Sequence, residues 1–142
     1  MKRKNFLKRC GFLIAGGIGT SLFFDSCSPV KYLNHTLEGN KIVVKKSELK
    51  GIQFALVNAA NLRFPVYLRS LNNEEYIALL TQCMHKGCEV TPYFDRLSCP
   101  CHGSEYSYTG EVISPPAQNS LVRFNVTADK ENIYIQSNEV LQ

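Results

Sequence analysis

The sequence predicts an all-β fold. The apolar residues fall in short runs rich in β-branched and aromatic side chains, and turn residues bound those runs. Only Ser47-Glu48-Leu49-Lys50 reads as a helical turn. Neither a repeat nor a low-complexity tract interrupts the pattern.

Taken in order, Ile42-Val43-Val44 and Gln53-Phe54-Ala55-Leu56-Val57 are strand-like runs. Phe64-Pro65-Val66-Tyr67-Leu68-Arg69 and Tyr76-Ile77-Ala78-Leu79-Leu80-Thr81 flank the turn signal Asn72-Asn73. Arg96-Leu97-Ser98 and Glu105-Tyr106-Ser107-Tyr108 follow, with a turn at Thr109-Gly110. Leu121-Val122-Arg123-Phe124-Asn125-Val126 alternates apolar and polar residues, as a half-buried strand does. The segment 129–132 turns it into Ile133-Tyr134-Ile135. About eight to ten short strands are expected.

The chain has 142 residues, enough for one domain with a modest core. Its net charge of +4 is localised. Lys2, Arg3, Lys4, Lys8 and Arg9 lie in the first nine residues, which leaves 11 basic and 11 acidic residues from Cys27 onward. With no like-charge run beyond short pairs such as Lys45-Lys46 and Glu74-Glu75, the sequence shows no basic patch that would suggest nucleic acid.

The basic start precedes an apolar stretch from Gly11 to Phe24, 14 residues long and broken by Gly16, Gly17 and Gly19. A membrane-spanning helix needs roughly 20 residues, so residues 1–26 read as a signal peptide, with an uncleaved signal anchor as the alternative. Arg3-Lys4-Asn5-Phe6-Leu7-Lys8 resembles a twin-arginine export signal with Lys in place of the second Arg. Phe24-Asp25-Ser26-Cys27 resembles a relaxed lipoprotein cleavage site, which makes Cys27 a candidate for lipidation; a structural cysteine is the alternative. Stable anchoring needs two acyl chains, which a diacylated Cys27 would carry. Residues 27–40 are polar and irregular and are expected to form a tether to a domain at 41–142.

Two boxes carry the chemistry: Cys83-Met84-His85-Lys86-Gly87-Cys88 and Cys99-Pro100-Cys101-His102-Gly103-Ser104. Thiolate calls for a soft metal, and imidazole suits iron, copper or zinc. Cys83 and His85 are two apart, a spacing that puts both on one side of an extended strand. Cys99 and His102 are three apart, which suits a tight turn. Gly87 and Gly103 let the backbone fold closely around an ion. Two thiolates with two imidazoles also make a zinc set. However, each box here supplies one Cys and one His, and zinc leaves Cys88 and Cys101 without a role. Leftover paired cysteines in an exported protein are expected to oxidise.

Cys-x-His-x-Gly-Cys followed by Cys-Pro-Cys-His-Gly-Ser closely resembles the Rieske iron–sulfur proteins, from about Lys41 to the C-terminus. The resemblance implies an antiparallel β-sandwich with a small cluster-binding subdomain, holding one [2Fe–2S] cluster. Cys83 and Cys99 would bind one iron, and His85 and His102 the other. A disulfide between Cys88 and Cys101 would clip the two loops. Ser104 and Tyr106 look like the residues that hydrogen-bond cluster sulfurs in high-potential members. Ser114-Pro115-Pro116-Ala117 resembles the proline loop that covers the cluster, with Pro115 where Gly is usual. Two ferric ions, two sulfides and two thiolates sum to zero, so an added electron is coupled to proton uptake at the outer edges of His85 and His102.

Four readings follow. The first is an exported, membrane-anchored carrier facing the periplasm or another extracytoplasmic side, like the Rieske subunit of cytochrome bc complexes. It would pass electrons from quinol towards a c-type cytochrome, with a cytochrome b or c as partner. Lys86, where those subunits often carry Leu, suits an acidic protein partner. The second is the small subunit of a periplasmic oxidase such as an arsenite oxidase, docked on its large subunit. A dioxygenase ferredoxin is a third reading, opposed by the extra cysteine pair and the export signal. A cluster-free binding module is the fourth, opposed by the intact ligand set. No catalytic residue is called for; an enzymatic label would belong to the larger complex.

Overall fold

The computed structural model describes residues 29–141, with side chains to position 138. The expected signal peptide at 1–26 and the candidate lipid site Cys27 lie outside the described residues. The strands are β1 (Thr36–Glu38), β2 (Lys41–Lys45), β3 (Phe54–Val57), β4 (Val66–Ser70), β5 (Tyr76–Leu80), β6 (Thr91–Tyr93), β7 (Arg96–Ser98), β8 (Glu105–Ser107), β9 (Val112–Ser114), β10 (Arg123–Ala128) and β11 (Asn132–Leu141). A 3-10 turn, Lys46–Leu49, stands where the helical turn was expected. The strands form a seven-stranded sheet, β1-β2-β11-β10-β5-β4-β3, and a four-stranded sheet, β6-β7-β8-β9. All pairs within both sheets are antiparallel.

Side-chain alternation explains why β3, β4 and β5 read as nearly continuous apolar runs. Ala55, Val57, Val66, Leu68 and Ala78 face one core with Ile42, Val44, Phe124, Ile133 and Ile135. Their neighbours Leu56, Tyr67, Ile77 and Leu79 face a second core with Leu97 and Tyr106 of the small sheet. Successive strand residues point to opposite faces, so a strand covered on both sides must be apolar throughout.

The expected tether is in part folded. Leu33 is buried, its N–H donates to the Leu56 carbonyl at 2.8 Å, and the Leu56 N–H donates to the Lys31 carbonyl at 2.9 Å. Residues 36–38 then pair with β2. The chain therefore packs on the domain from Val30, which lies against the second core. Burial of Leu33 and Val30 is what draws this polar segment down.

Candidate functional site

Both boxes emerge from strand ends as loops of one design. In the first, the Cys83 N–H donates to the Cys88 carbonyl at 2.7 Å and the Gly87 N–H to the Cys83 carbonyl at 2.9 Å. In the second, the Cys99 N–H donates to the Ser104 carbonyl at 2.8 Å and the Gly103 N–H to the Cys99 carbonyl at 3.0 Å. Gly87 and Gly103 take φ of 77° and 79°, the left-handed region that strains any side chain. The expected extended strand through Cys83 and His85 is therefore a turn. A peptide that closes on itself within six residues cannot stay extended.

The loops face each other. Cys88 and Cys101 are joined by a disulfide, with Cα atoms 6.5 Å apart. The Cys99 sulfur lies within 4.8 Å of both disulfide sulfurs. Cys83 and Cys99 are free and buried. The His85 and His102 rings meet edge to face with centroids 4.9 Å apart. His85 is half-buried and His102 exposed. Four of the expected site residues thus converge as two neighbouring thiols and two neighbouring imidazoles.

Tyr106 is fully buried, with its hydroxyl 3.3 Å from Cys83 Sγ. The same oxygen accepts the Met84 N–H at 3.0 Å. Burial acts to raise the Cys83 thiol, but hydrogen bonding to Tyr106, the His85 backbone, Cys99 and Ser104 outweighs it, and the thiol sits below its ordinary value. Burial, together with its neighbour Cys83, pushes Cys99 up. Burial and the same sulfur push Tyr106 well above the ordinary phenol range. The Tyr106 hydroxyl is thereby placed to donate to the Cys83 sulfur. Ser104 is fully buried, and its Oγ accepts the Ala117 N–H at 3.0 Å. That bond fixes the loop after Ser114 against the second box, whose Pro115–Pro116 peptide is cis.

The donor set fits a [2Fe–2S] cluster with mixed ligands. Among the described residues, His85 Nδ1 is the one buried side-chain nitrogen or oxygen without a hydrogen-bond partner. Such an atom costs about 1–3 kcal/mol unless something coordinates it. The soft sulfurs and this nitrogen are the types that iron takes in such centres.

Two contributions escaped the sequence reading. The Ala117 and Met84 N–H groups anchor the hydroxyls of Ser104 and Tyr106, and backbone donors leave no trace in residue type. Arg69 on β4 reaches the small sheet: its Nη1 donates to Tyr67 Oη at 3.2 Å and to the Phe94 carbonyl at 3.1 Å, and its guanidinium lies 4.5 Å from the Tyr108 ring centroid.

Comparison with known proteins places residues 30–125 in a match to the Rieske [2Fe-2S] domain. The cytochrome b6-f complex iron-sulfur subunit of Synechococcus sp. (strain WH7803) is 41% identical over 56 residues, covering 37% of this chain and 31% of that protein. The cytochrome b6-f complex iron-sulfur subunit 1 of Nostoc sp. (strain PCC 7120 / SAG 25.82 / UTEX 2576) is 38% identical over 58 residues, 39% of this chain and 32% of that protein. These matches span about a third of the relatives' length. The crystal structure of the cyanobacterial plasma membrane Rieske protein PetC3 from Synechocystis PCC 6803 superposes with a TM-score of 0.55 at 28% identity, over 64% of this chain and 93% of that one. A chain of the oxygenase–ferredoxin complex of carbazole 1,9a-dioxygenase, at 20% identity, TM-score 0.54 and 70% and 97% coverage, shares the fold alone.

Proposed function

The chain belongs to the Rieske [2Fe–2S] family, and from that premise we propose that it is an exported, membrane-anchored electron carrier passing single electrons from quinol towards a c-type cytochrome within a bc-like assembly. The observation that carries the high-potential reading is the Tyr106 hydroxyl 3.3 Å from Cys83 Sγ. A donor aimed at a ligand sulfur stabilises added negative charge and raises the potential. Likeness to cytochrome b6-f subunits supports a cytochrome partner. The basic, apolar N-terminus and Cys27 support export and anchoring.

Cys83 and Cys99 would hold one iron as thiolates, and His85 and His102 the other through ring nitrogens. When bound, the cluster supplies one reversible electron at a potential between about −150 and +300 mV. His102 is exposed and His85 half-buried, so their outer ring edges are where a proton can be exchanged with quinol or water. The disulfide holds the two loops together at that surface. Lys86 and Met84 are exposed beside His85 and would meet the partner. The positive Lys86 favours an acidic one.

Potentiometry of the purified holoprotein followed by electron paramagnetic resonance tests the assignment. A mixed-ligand signal with a midpoint in the upper half of that range is expected. A midpoint below zero rejects the high-potential assignment. Copurification from membranes with a cytochrome b or c supports the assembly; copurification with a molybdenum enzyme rejects it.

A further inference from the structure

We propose that the tip of the β6–β7 hairpin, Tyr93 and Phe94, rests on the surface of the bilayer that holds the chain's N-terminus. This rests on the membrane-anchored reading and adds to it a second, aromatic contact made by the folded domain.

Tyr93 is 63% exposed and Phe94 72%, the highest values among the described large apolar residues. Their rings meet edge to face at 4.7 Å, so they form one aromatic knob. Phe94 holds φ at 49°, and it is the described non-glycine residue with positive φ. A bulky side chain in that region is costly and persists where its surroundings enforce it. Here Arg69 does so, through its bond to the Phe94 carbonyl and its place over Tyr108. The fold thus presents two rings to the outside from a pinned turn.

The position of the knob says what it faces. The first described residues run beside β3, with Tyr32 bridged in parallel to Leu56. Val30 therefore lies near Phe54, and both pack in the second core. Phe54 is paired with Arg69 across β3 and β4, and Arg69 holds the hairpin tip. The place where the chain joins the fold and the aromatic knob thus share one end of the molecule. Cys27 precedes Val30 by three residues and the apolar stretch ends six before it, at Phe24. At about 3.5 Å per residue those segments reach roughly 10 and 20 Å. An anchor at either place keeps this end of the domain at the membrane.

Tyr93 suits the headgroup region, where its ring is buried and its hydroxyl stays wet, and the wholly apolar ring of Phe94 gains by burial beside it. Asp95 at the same tip is exposed and 3.5 Å from Arg96, which also reaches Glu105 at 3.4 Å. These charges limit the contact to the interface. From the tip, β7 leads away into Cys99, five residues on, or about 16 Å. In this pose the metal-binding loops face the aqueous phase, and engaging a membrane-embedded quinol site requires the hairpin to leave the surface.

The native sequence contains no Trp, so Phe94→Trp in the full-length holoprotein is a sole tryptophan, excited selectively at the red edge where tyrosine does not absorb. Ile113→Trp, on β9 at a site 52% exposed, is the control. Each variant is reconstituted in phosphatidylcholine–phosphatidylglycerol vesicles with and without brominated acyl chains, and vesicle flotation is scored in parallel. The expected result is flotation of both, with brominated lipid cutting Phe94→Trp emission by about twofold or more at an interfacial depth of roughly 5–10 Å, and leaving Ile113→Trp unchanged. Flotation without that quenching overturns the hairpin contact and leaves anchoring intact. Failure to float overturns the anchoring reading and the contact with it. Emission that shifts on adding unlabelled protein instead of lipid overturns the proposal in favour of a second copy of the chain.

Discussion

The Tyr106 hydroxyl stands between the Cys83 sulfur at 3.3 Å and the Met84 N–H at 3.0 Å. Accepting from the backbone orients the hydroxyl so that its own proton points at sulfur. Tyr106→Phe removes that donor and keeps the ring. A hydrogen bond to a charged group is worth about 1.5 kcal/mol or more. The midpoint potential should therefore fall by roughly 60 mV, at about 59 mV per tenfold for one electron. A redox titration of wild type and variant checks this; an unchanged midpoint rejects the role given to Tyr106.

Ser104→Ala should act on stability as well as potential. Its Oγ is the acceptor for the buried Ala117 N–H. Leaving that donor unpaired costs about 1–3 kcal/mol. Denaturant unfolding of the holoprotein measures the loss, and Ser104→Thr, which keeps the hydroxyl, should recover part of the potential.

Replacing Cys88 and Cys101 together by Ser removes the link between the loops, which spans 13 positions. The chain-entropy estimate for a loop of that size is about 3 kcal/mol. Guanidinium unfolding under non-reducing conditions should show that loss, and a reductant should destabilise the wild type but not the double variant.

Asp129 gives an acid-dependent contribution at the far end of the main sheet. Its carboxylate accepts the Asn132 N–H at 2.7 Å, the Tyr134 hydroxyl at 2.7 Å and the Glu131 N–H at 2.8 Å. These bonds hold its pKa down to about 2. An unfolded aspartate titrates near 4. The stabilisation is therefore complete above about pH 4 and is lost as pH falls towards 2. Unfolding midpoints of wild type and Asp129→Asn, measured across that window, should converge at its acid end.

The two boxes were legible because ligand type and spacing are written in the side chains. So was the β4–β5 hairpin: Asn72 Oδ1 accepts the Glu74 and Glu75 N–H groups at 2.9 Å, as its turn chemistry suggests. The common design of the two metal loops was not, because backbone hydrogen bonds make it and His85 and His102 stand at different offsets from their cysteines. Strand β6 was missed because it carries Pro92, and β9 because it runs directly into Pro115 and Pro116. The reach of β11 to Leu141 escaped as well, since Gln136 to Glu139 show no apolar alternation. Leu33 was passed over because a single apolar residue in a polar stretch gives no period, and its burial depends on Leu56 of β3, 23 residues further along the chain.

Arg69 joins the seven-stranded sheet to the four-stranded one, and Leu56, Tyr67, Ile77 and Leu79 share a core with Leu97 and Tyr106. Nothing at that junction resembles a hinge. If the carrier shuttles between donor and acceptor, it does so as a single stiff body, with both sheets keeping one mutual orientation wherever it docks.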